Sequence, residues 1–507
     1  MMRMAAARDQ QQGMRLSSLL QGFAPVPRVD PVIGGLCMDS RRVRPGDLFL
    51  ACAGTRATGV RFIAEAARAG AVAALAESRD LDASVRWTIP VIAVDDVSGR
   101  AGAIAARFFG EPTRDMPVIG VTGTNGKSSV SHFIAAALAR IDGRPAGLVG
   151  TLGHGVPGNL APGNLTTPDP VQLQSILAVM REQGFRRVVM EVSSHALDQR
   201  RVAGVNFAIG VFTNLSRDHL DYHRDMDAYG AAKEQLFLQP GLRVAVLNLD
   251  DPFGRALRDH HHGRFEIVGW RIVDDAAGMN PAADEIIGRI TREDIGDLAV
   301  EIRSARGQAT LRTRLTGRFN AGNLLAALGA LLAERVPFAR AVEALAESAP
   351  VPGRMETFRK RGAPVVIVDY AHTPDALLKA LAALRGRRPG RLVCVFGCGG
   401  DRDAGKRPLM GEIAETHADA VYVTSDNPRS EAPTGIIDDI LAGMQRVKPA
   451  VIEPDRAAAI SRAIADCGPD DIVLVAGKGH EDYQEITGQR HPFSDRALVA
   501  RLLGERR

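Results

Sequence analysis

An apolar run from Pro117 to Val121 leads into Gly120-Val-Thr-Gly-Thr-Asn-Gly-Lys-Ser128, and a helix-like segment, Ser129 to Arg140, follows. A strand, a glycine-rich turn and a helix start commit this part of the chain to an α/β layout with a phosphate cradle at the strand's carboxyl end. Glycines let backbone N–H groups crowd an anion, and the helix N-terminus favours its charge. Lys127 is spaced to reach terminal phosphates, and the Ser128 hydroxyl to ligate Mg²⁺. Val121 stands where the general P-loop has its first glycine, so the form is a variant. Gly123, Thr124, Asn125, Gly126, Lys127, Ser128 and Ser129 are therefore the candidate ATP-binding residues.

The same alternation recurs. Before about residue 112, Val43–Ala51 reads as a turn feeding a strand, Val91–Val94 as a strand and Phe62–Ala69 as a helix. Glu111-Pro-Thr113 and Pro117 break both element types. From 113 to 349, strands are expected at 118–121, 188–192, 208–212 and 244–247, with helices at 171–181, 228–238 and 319–334. Residues 267–315 read as short alternating strands, an antiparallel flap. From 350 to 507, strands at 365–368, 392–396, 420–424 and 472–475 alternate with helices such as 376–384 and 456–466. The expected fold class is α/β in three domains: a small N-terminal α/β domain (16–112), a central P-loop ATPase domain with a parallel sheet (113–349), and a C-terminal Rossmann-like domain (350–507). Residues 1–15 read as a disordered lead-in without the apolar core of a signal peptide.

The length of 507 residues suits about three domains at ~100–200 residues each. A net charge of +4 gives no argument for nucleic acid. Five scattered cysteines without paired motifs fit a reducing compartment, and no run approaches the ~18 apolar residues of a membrane span. The expectation is a cytoplasmic, monomeric enzyme acting on small molecules.

Two further clusters carry chemistry. Glu191 ends a strand at the active face, where a carboxylate suits Mg²⁺. Thr213-Asn-Leu-Ser-Arg-Asp218-His219-Leu-Asp221-Tyr-His223 follows another strand, and His219 could ligate a metal or orient a phosphate. Without a cysteine in that cluster, zinc is disfavoured. His260-His-His262 reads as a solvated turn, and Phe396-Gly-Cys-Gly-Gly400 as a tight turn after a strand.

The loop form G-T-N-G-K-S resembles that of the Mur ligase family, the ATP-dependent amide-forming enzymes of peptidoglycan and folate metabolism. Asp39-Ser40-Arg41, Asn164-Leu-Thr166-Thr167-Pro168, Gln199-Arg-Arg201, Gly317-Arg-Phe-Asn320, Gly353-Arg354, Asp369-Tyr-Ala-His372-Thr-Pro-Asp375, Gly399-Gly-Asp-Arg402, Asp426-Asn-Pro-Arg429 and Gly477-Lys-Gly-His-Glu481 extend the likeness in the family's order. The resemblance implies that Ser40, Thr55, Arg56, Ala57, Asn164, Thr166, Thr167, Ser193, Gln199 and Arg201 hold a UDP-muramoyl-dipeptide. It implies that Asn320, Arg354 and Asp369 contact ATP. It further implies that Lys233 is carbamylated, so that Ser128, Glu191, His219 and Lys233 hold Mg²⁺ while Lys127, Lys233 and His219 serve catalysis. Thr58 stands where many family members carry aspartate, which bears on the UDP loop.

The family's third substrate is an amino acid, usually meso-diaminopimelate or L-lysine. Diaminopimelate's far end carries a carboxylate that lysine lacks, and a guanidinium grips it with two parallel hydrogen bonds. Arg429, in Asp426-Asn427-Pro428-Arg429, supplies one. Arg402 is a second candidate anchor, with Glu481 for the ammonium and Gly477 beside it. Diaminopimelate is the expected addend. The alternatives are a lysine-adding ligase, a folylpolyglutamate synthase-like ligase and a non-catalytic nucleotide-binding scaffold.

Overall fold

The computed structural model describes residues 13–25, 28–53, 58–82, 84–445, 447 and 450–504. The chain divides into two compact units. One comprises Met1–Gly120, Arg144–Gly210 and Gln235–Arg243; the other comprises Val121–Gly143, Val211–Glu234 and Val244–Arg507. The first cut falls inside the strand Val118–Thr122, within the glycine-rich motif itself.

In the first unit, Gly35–Cys37, Asp47–Ala51, Ala73–Glu77 and Val91–Val94 form a four-stranded parallel sheet in that order. Ala73–Glu77 is buried throughout, as befits a parallel strand covered on both faces. The helix Val97–Phe108 is started by Asp96, whose carboxylate accepts from Gly99 N at 3.1 Å. Its apolar face joins Leu16, Leu48, Leu75 and Ile104 in one core. Val188–Glu191 runs parallel to Gly147–Gly150, which turns into the antiparallel pair Gly153–Val156 and Asn159–Ala161. Met14–Arg15 pairs with Val32–Ile33, so regular structure begins inside the expected lead-in, and residues 1–12 of that segment lie outside the described residues.

In the second unit, Val244–Asn248, Glu266–Val273 and Glu285–Asp294 are successive parallel neighbours. Asp297–Ser304 and Gly307–Thr313 then add antiparallel. The expected antiparallel flap is thus half right, because Glu266–Val273 extends the parallel sheet. The helix Arg318–Ala333 is buried on nearly every side, which explains its alanine- and leucine-rich composition. A six-stranded sheet follows in the order Glu356–Phe358, Val365–Asp369, Ile472–Ala476, Leu392–Phe396, Ala420–Val423 and Ala450–Ile452. Only its first pair is antiparallel. The continuous apolar runs at 365–368 and 392–396 are what strands buried on both faces require.

Two helix boundaries differ from expectation. The helix after the glycine-rich loop begins at Lys127, because Gly126 takes a left-handed φ of +88° and the chain turns helical at once. The helix expected at 228–238 is Met226–Glu234, and the turns after it lead to Pro240. The His260-His-His262 reading is also corrected. His261 is buried, with Nε2 2.8 Å from Glu234 Oε1, instead of solvated. Among the described residues no helix is long and apolar enough to cross a membrane, and none of the five cysteines forms a disulfide.

Candidate functional site

The glycine-rich loop is shaped by two residues that only glycine can supply. Gly123 has φ +147° and Gly126 +88°. A Cβ on the first would collide with Thr213 Oγ1, and on the second with Asn323 Oδ1. The loop is held by the segment after Phe207–Phe212. Thr124 N donates to Asn214 O at 2.8 Å, Asn125 N to Asn214 Oδ1 at 3.0 Å, and Thr213 Oγ1 to Asn125 O at 2.6 Å. Lys127 Nζ lies 2.8 Å from Gly123 O and 2.9 Å from Thr124 O, folded over the cradle. No side chain caps the helix that Lys127 opens. The dipole end therefore faces the loop with N–H groups suited to an anion.

Beside the loop lies a cavity of about 450 Å³. Asn125, Gly126 and Ser129 line one side, Asn320 and Asn323 another, and Arg354, Asp369 and Tyr370 a third. Trp270 supplies an aromatic wall. Arg354 Nη2 donates to Ser128 Oγ at 3.1 Å while its guanidinium lies 4.3 Å above the Tyr370 ring. Asp369 Oδ2 accepts from Met355 N at 2.7 Å, and burial raises its pKa against the pull of Arg354. All the expected ATP residues outside the loop thus meet it here. Asn323 and Trp270 are additions that motif reading missed. Asn323 was detectable, since its spacing of three from Asn320 puts both on one helix face. Asp375 Oδ2 accepts from Asn125 Nδ2 at 3.1 Å, tying the loop to the helix Pro374–Leu384.

Asp218 and Lys233 carry the strongest electrostatics. Asp218 is buried, yet its pKa sits well below the usual carboxylate value; burial opposes this, and His372, His219 and Lys406 outweigh it. His372 Nε2 is 3.5 Å and Lys406 Nζ 3.8 Å from its carboxylate. His219 has a left-handed φ of +55°, and its backbone N–H donates to Asp218 Oδ1 at 2.9 Å. Lys233 is buried, with Nζ 4.0 Å from the Tyr229 ring centroid. Burial first, then the Lys127 charge, pushes its pKa well below that of a free lysine. Tyr229 OH is 3.2 Å from Thr124 Oγ1, which links that helix to the loop. A neutral, enclosed amine is a nucleophile, unlike a surface ammonium. Among the described residues no three His, Cys, Asp or Glu side chains form a metal cluster. A divalent ion here would find an oxygen donor in the Ser128 hydroxyl.

In the first unit, Glu191 is fully buried, and its carboxylate accepts from Thr151 N at 2.9 Å and Thr151 Oγ1 at 3.1 Å. Thr151 Oγ1 is 3.0 Å from Thr166 Oγ1, and Thr167 Oγ1 donates to Glu191 O at 2.9 Å. Ser193 N donates to Thr167 Oγ1, and Arg201 reaches Thr167 O while holding Gln199 Oε1. Five of the expected acceptor residues therefore form one network with Glu191. Asn164 stands apart on an exposed turn. Ser40 opens a short 3₁₀ turn, with Oγ donating to Glu65 at 3.0 Å. Thr55, Arg56 and Ala57 lie outside the described residues.

The expected amino-acid residues converge at the carboxyl ends of the C-terminal strands. Asn427 Nδ2 donates to Glu481 Oε2 at 2.8 Å. Arg429, at φ +52°, donates from Nη1 to Gly400 O at 2.6 Å. Pro428 O accepts from Glu431 N, turning the chain away after the motif. Gly477 has φ +114°, and a Cβ there would strike Asp426 Oδ2. Arg402 is the looser member, half exposed and 3.9 Å from Asp221.

A glycine-rich loop between a strand and a helix, followed by a second mostly parallel sheet, defines a P-loop α/β protein. The chain belongs to the Mur ligase family. Its profiles match at residues 32–109 (Mur ligase family, catalytic domain), 121–331 (Mur ligase middle domain) and 353–479 (Mur ligase, glutamate ligase domain). A relative from Pseudomonas aeruginosa is 49% identical over 489 residues, covering 96% of this chain and 98% of its own. One from Coxiella burnetii is 46% identical over 487 residues, covering 95% and 98%. Both are named UDP-N-acetylmuramoyl-L-alanyl-D-glutamate--2,6-diaminopimelate ligase. A solved structure with that name has 33% identity and a TM-score of 0.67, covering 97% of this chain and 99% of its own. The Mycobacterium tuberculosis folylpolyglutamate synthase shares the fold, at 20% identity and a TM-score of 0.60 over 81% of this chain and 96% of its own.

Proposed function

We propose that this chain is the ATP-dependent ligase that joins meso-2,6-diaminopimelate to the D-glutamate γ-carboxylate of UDP-N-acetylmuramoyl-L-alanyl-D-glutamate, in the cytoplasm. The observation that carries the reading is the Asn427–Glu481 hydrogen bond together with Arg429, an acid and a guanidinium on the loops that follow the C-terminal strands. That chemistry suits a zwitterionic side-chain end, and near-full-length relatives of 46–49% identity bear the diaminopimelate name.

A carboxylate resists attack because its oxygen leaves poorly. Transfer of the ATP γ-phosphoryl group to the γ-carboxylate gives an acyl phosphate and ADP. The neutral amine of diaminopimelate then adds to the acyl carbon, and inorganic phosphate departs as the amide forms. Lys127 and the loop N–H groups spread the charge in transfer, and Arg354 orders Ser128. Asn320 and Asp369 shape the nucleotide cavity. Thr166, Thr167, Ser193, Gln199 and Arg201 would position the acceptor, with Ser40 and the 55–57 loop on its UDP part. Lys233, as a neutral amine, can add to CO₂ and release a proton, leaving a carbamate. Ser128, His219 and that carbamate would hold Mg²⁺, which neutralises phosphate charge when bound. Most of the rate gain then comes from placing two reactants together.

Phosphate release with the UDP-dipeptide, ATP and either meso-diaminopimelate or L-lysine tests the reading. Turnover with diaminopimelate and little with lysine is expected. A preference for lysine would overturn the specificity, and release without any amino acid would overturn the ligase mechanism.

A further inference from the structure

Lys478 has no place in the mechanism above, yet it is among the largest fully buried side chains in the protein. It follows the strand Ile472–Ala476, between Gly477 and Gly479, whose φ values of +114° and +52° turn the chain sharply. Its Nζ donates to Asn427 Oδ1 at 3.0 Å and to Glu481 Oε2 at 2.9 Å. Asn427 Nδ2 donates to that same Glu481 oxygen, which closes a triangle of three side chains. Glu485 N adds a second donor to Asn427 Oδ1 at 2.9 Å.

These bonds fix more than position. Two donors on one side of the Asn427 amide dictate which end is oxygen. Glu481 Oε2 is filled by two donors, while Oε1 accepts no hydrogen bond among the described residues. What is left is one N–H of Asn427 beside one oxygen of Glu481. A free donor next to a free acceptor matches the carboxylate and ammonium of an amino-acid end.

We infer that Lys478 is a positioning residue of the amino-acid site: it locks Asn427 and Glu481 into the arrangement that leaves this donor–acceptor pair, and it offsets the Glu481 charge. Without it the amide oxygen keeps a single donor, Glu485 N, and Glu481 becomes an unbalanced carboxylate that attracts any ammonium. Lys478 thus acts through its two partners and touches no substrate. The inference rests on the proposed assignment of this pocket to the incoming amino acid.

The test is a double-mutant cycle on the full-length enzyme, measuring KM for the amino acid, ATP and the UDP-dipeptide in Lys478→Met, Glu481→Gln and the double variant. Lys478→Met should raise the amino-acid KM about tenfold or more while ATP KM stays within about twofold. The double variant should be no more than about threefold worse than Glu481→Gln alone, because the lysine works through that carboxylate. A merely structural lysine would raise all three KM values or multiply with Glu481→Gln. Either result, or an unchanged amino-acid KM, overturns the inference. Lys478→Gln keeps a neutral donor and carries the same cycle if the methionine variant does not fold. The cycle uses whichever of diaminopimelate and L-lysine the wild type turns over. A substrate other than diaminopimelate would strike the proposed function and leave the test of Lys478 intact.

Discussion

Replacing Arg456 with methionine should loosen the C-terminal sheet severely, and the structure gives the scale. Arg456 and Asp495 are both fully buried. Nε meets Asp495 Oδ1 at 2.8 Å and Nη2 meets Oδ2 at 2.7 Å, a two-pronged pair. Nη1 also donates to Ser425 O at 3.3 Å and Nη2 to Ala476 O at 2.9 Å. Those carbonyls belong to the residues just before Asp426 and Gly477, so one side chain pins the two strand-end segments that lead into the proposed amino-acid site. Arg456→Met strands a buried carboxylate, which costs about 3–5 kcal/mol. Removing both charges, in Arg456→Met with Asp495→Leu, leaves only the two carbonyls short of a donor, at about 1–3 kcal/mol each at most. The double variant should therefore be no less stable than the single one, and more stable if the carbonyls find other donors. Native-state hydrogen exchange on peptides covering 392–396 and 472–476 suits a multidomain chain better than a single melting midpoint. At about 1.4 kcal/mol per tenfold, amides there should exchange roughly two to nearly four orders of magnitude faster in Arg456→Met. Acceleration of less than about tenfold, or a double variant clearly worse than the single, would refute the argument that the stranded charge dominates.

Two other outcomes follow from the same electrostatics. Burial, reinforced by Arg354, lowers the His480 pKa to about 3, and its Nδ1 is buried without a partner. An unfolded chain binds that proton below ~6.5, so stability falls as pH drops from there towards 3, by up to about 2 kcal/mol at pH 5; His480→Asn should flatten this acid limb of a stability–pH curve, and an unchanged limb would show that His480 does not set it. Lys233→Ala should lower turnover on the order of 10²–10³-fold, with partial recovery in millimolar acetate, which restores a carboxylate to the vacated space; loss without recovery would argue against an anionic role for Lys233.

The parts of this site that could be read in the sequence are those whose chemistry is local. The loop at 120–128 announces itself because glycine spacing, lysine and serine must sit within a few residues of one another. The parallel strands are legible because burial on both faces demands unbroken apolar runs. What escaped reading depends on distance in the chain. Lys406 looks like an ordinary surface lysine until folding encloses it beside Asp218, and Lys478 lay inside a recognised motif, but its bond to Asn427 spans 51 residues. Asp375 lay inside a recognised motif, but its bond to Asn125 spans 250 residues and leaves no local trace. The Glu266–Val273 strand was misplaced because alternating polarity marks an exposed face and says nothing of direction.

Of the two tryptophans in the chain, Trp270 forms a wall of the proposed nucleotide cavity, while Trp87 lies in the other unit. The enzyme therefore carries its own optical gauge. Trp87→Phe would leave a single emitter in the cavity wall, and quenching of its fluorescence on titration would give a nucleotide isotherm without label, coupling enzyme or turnover.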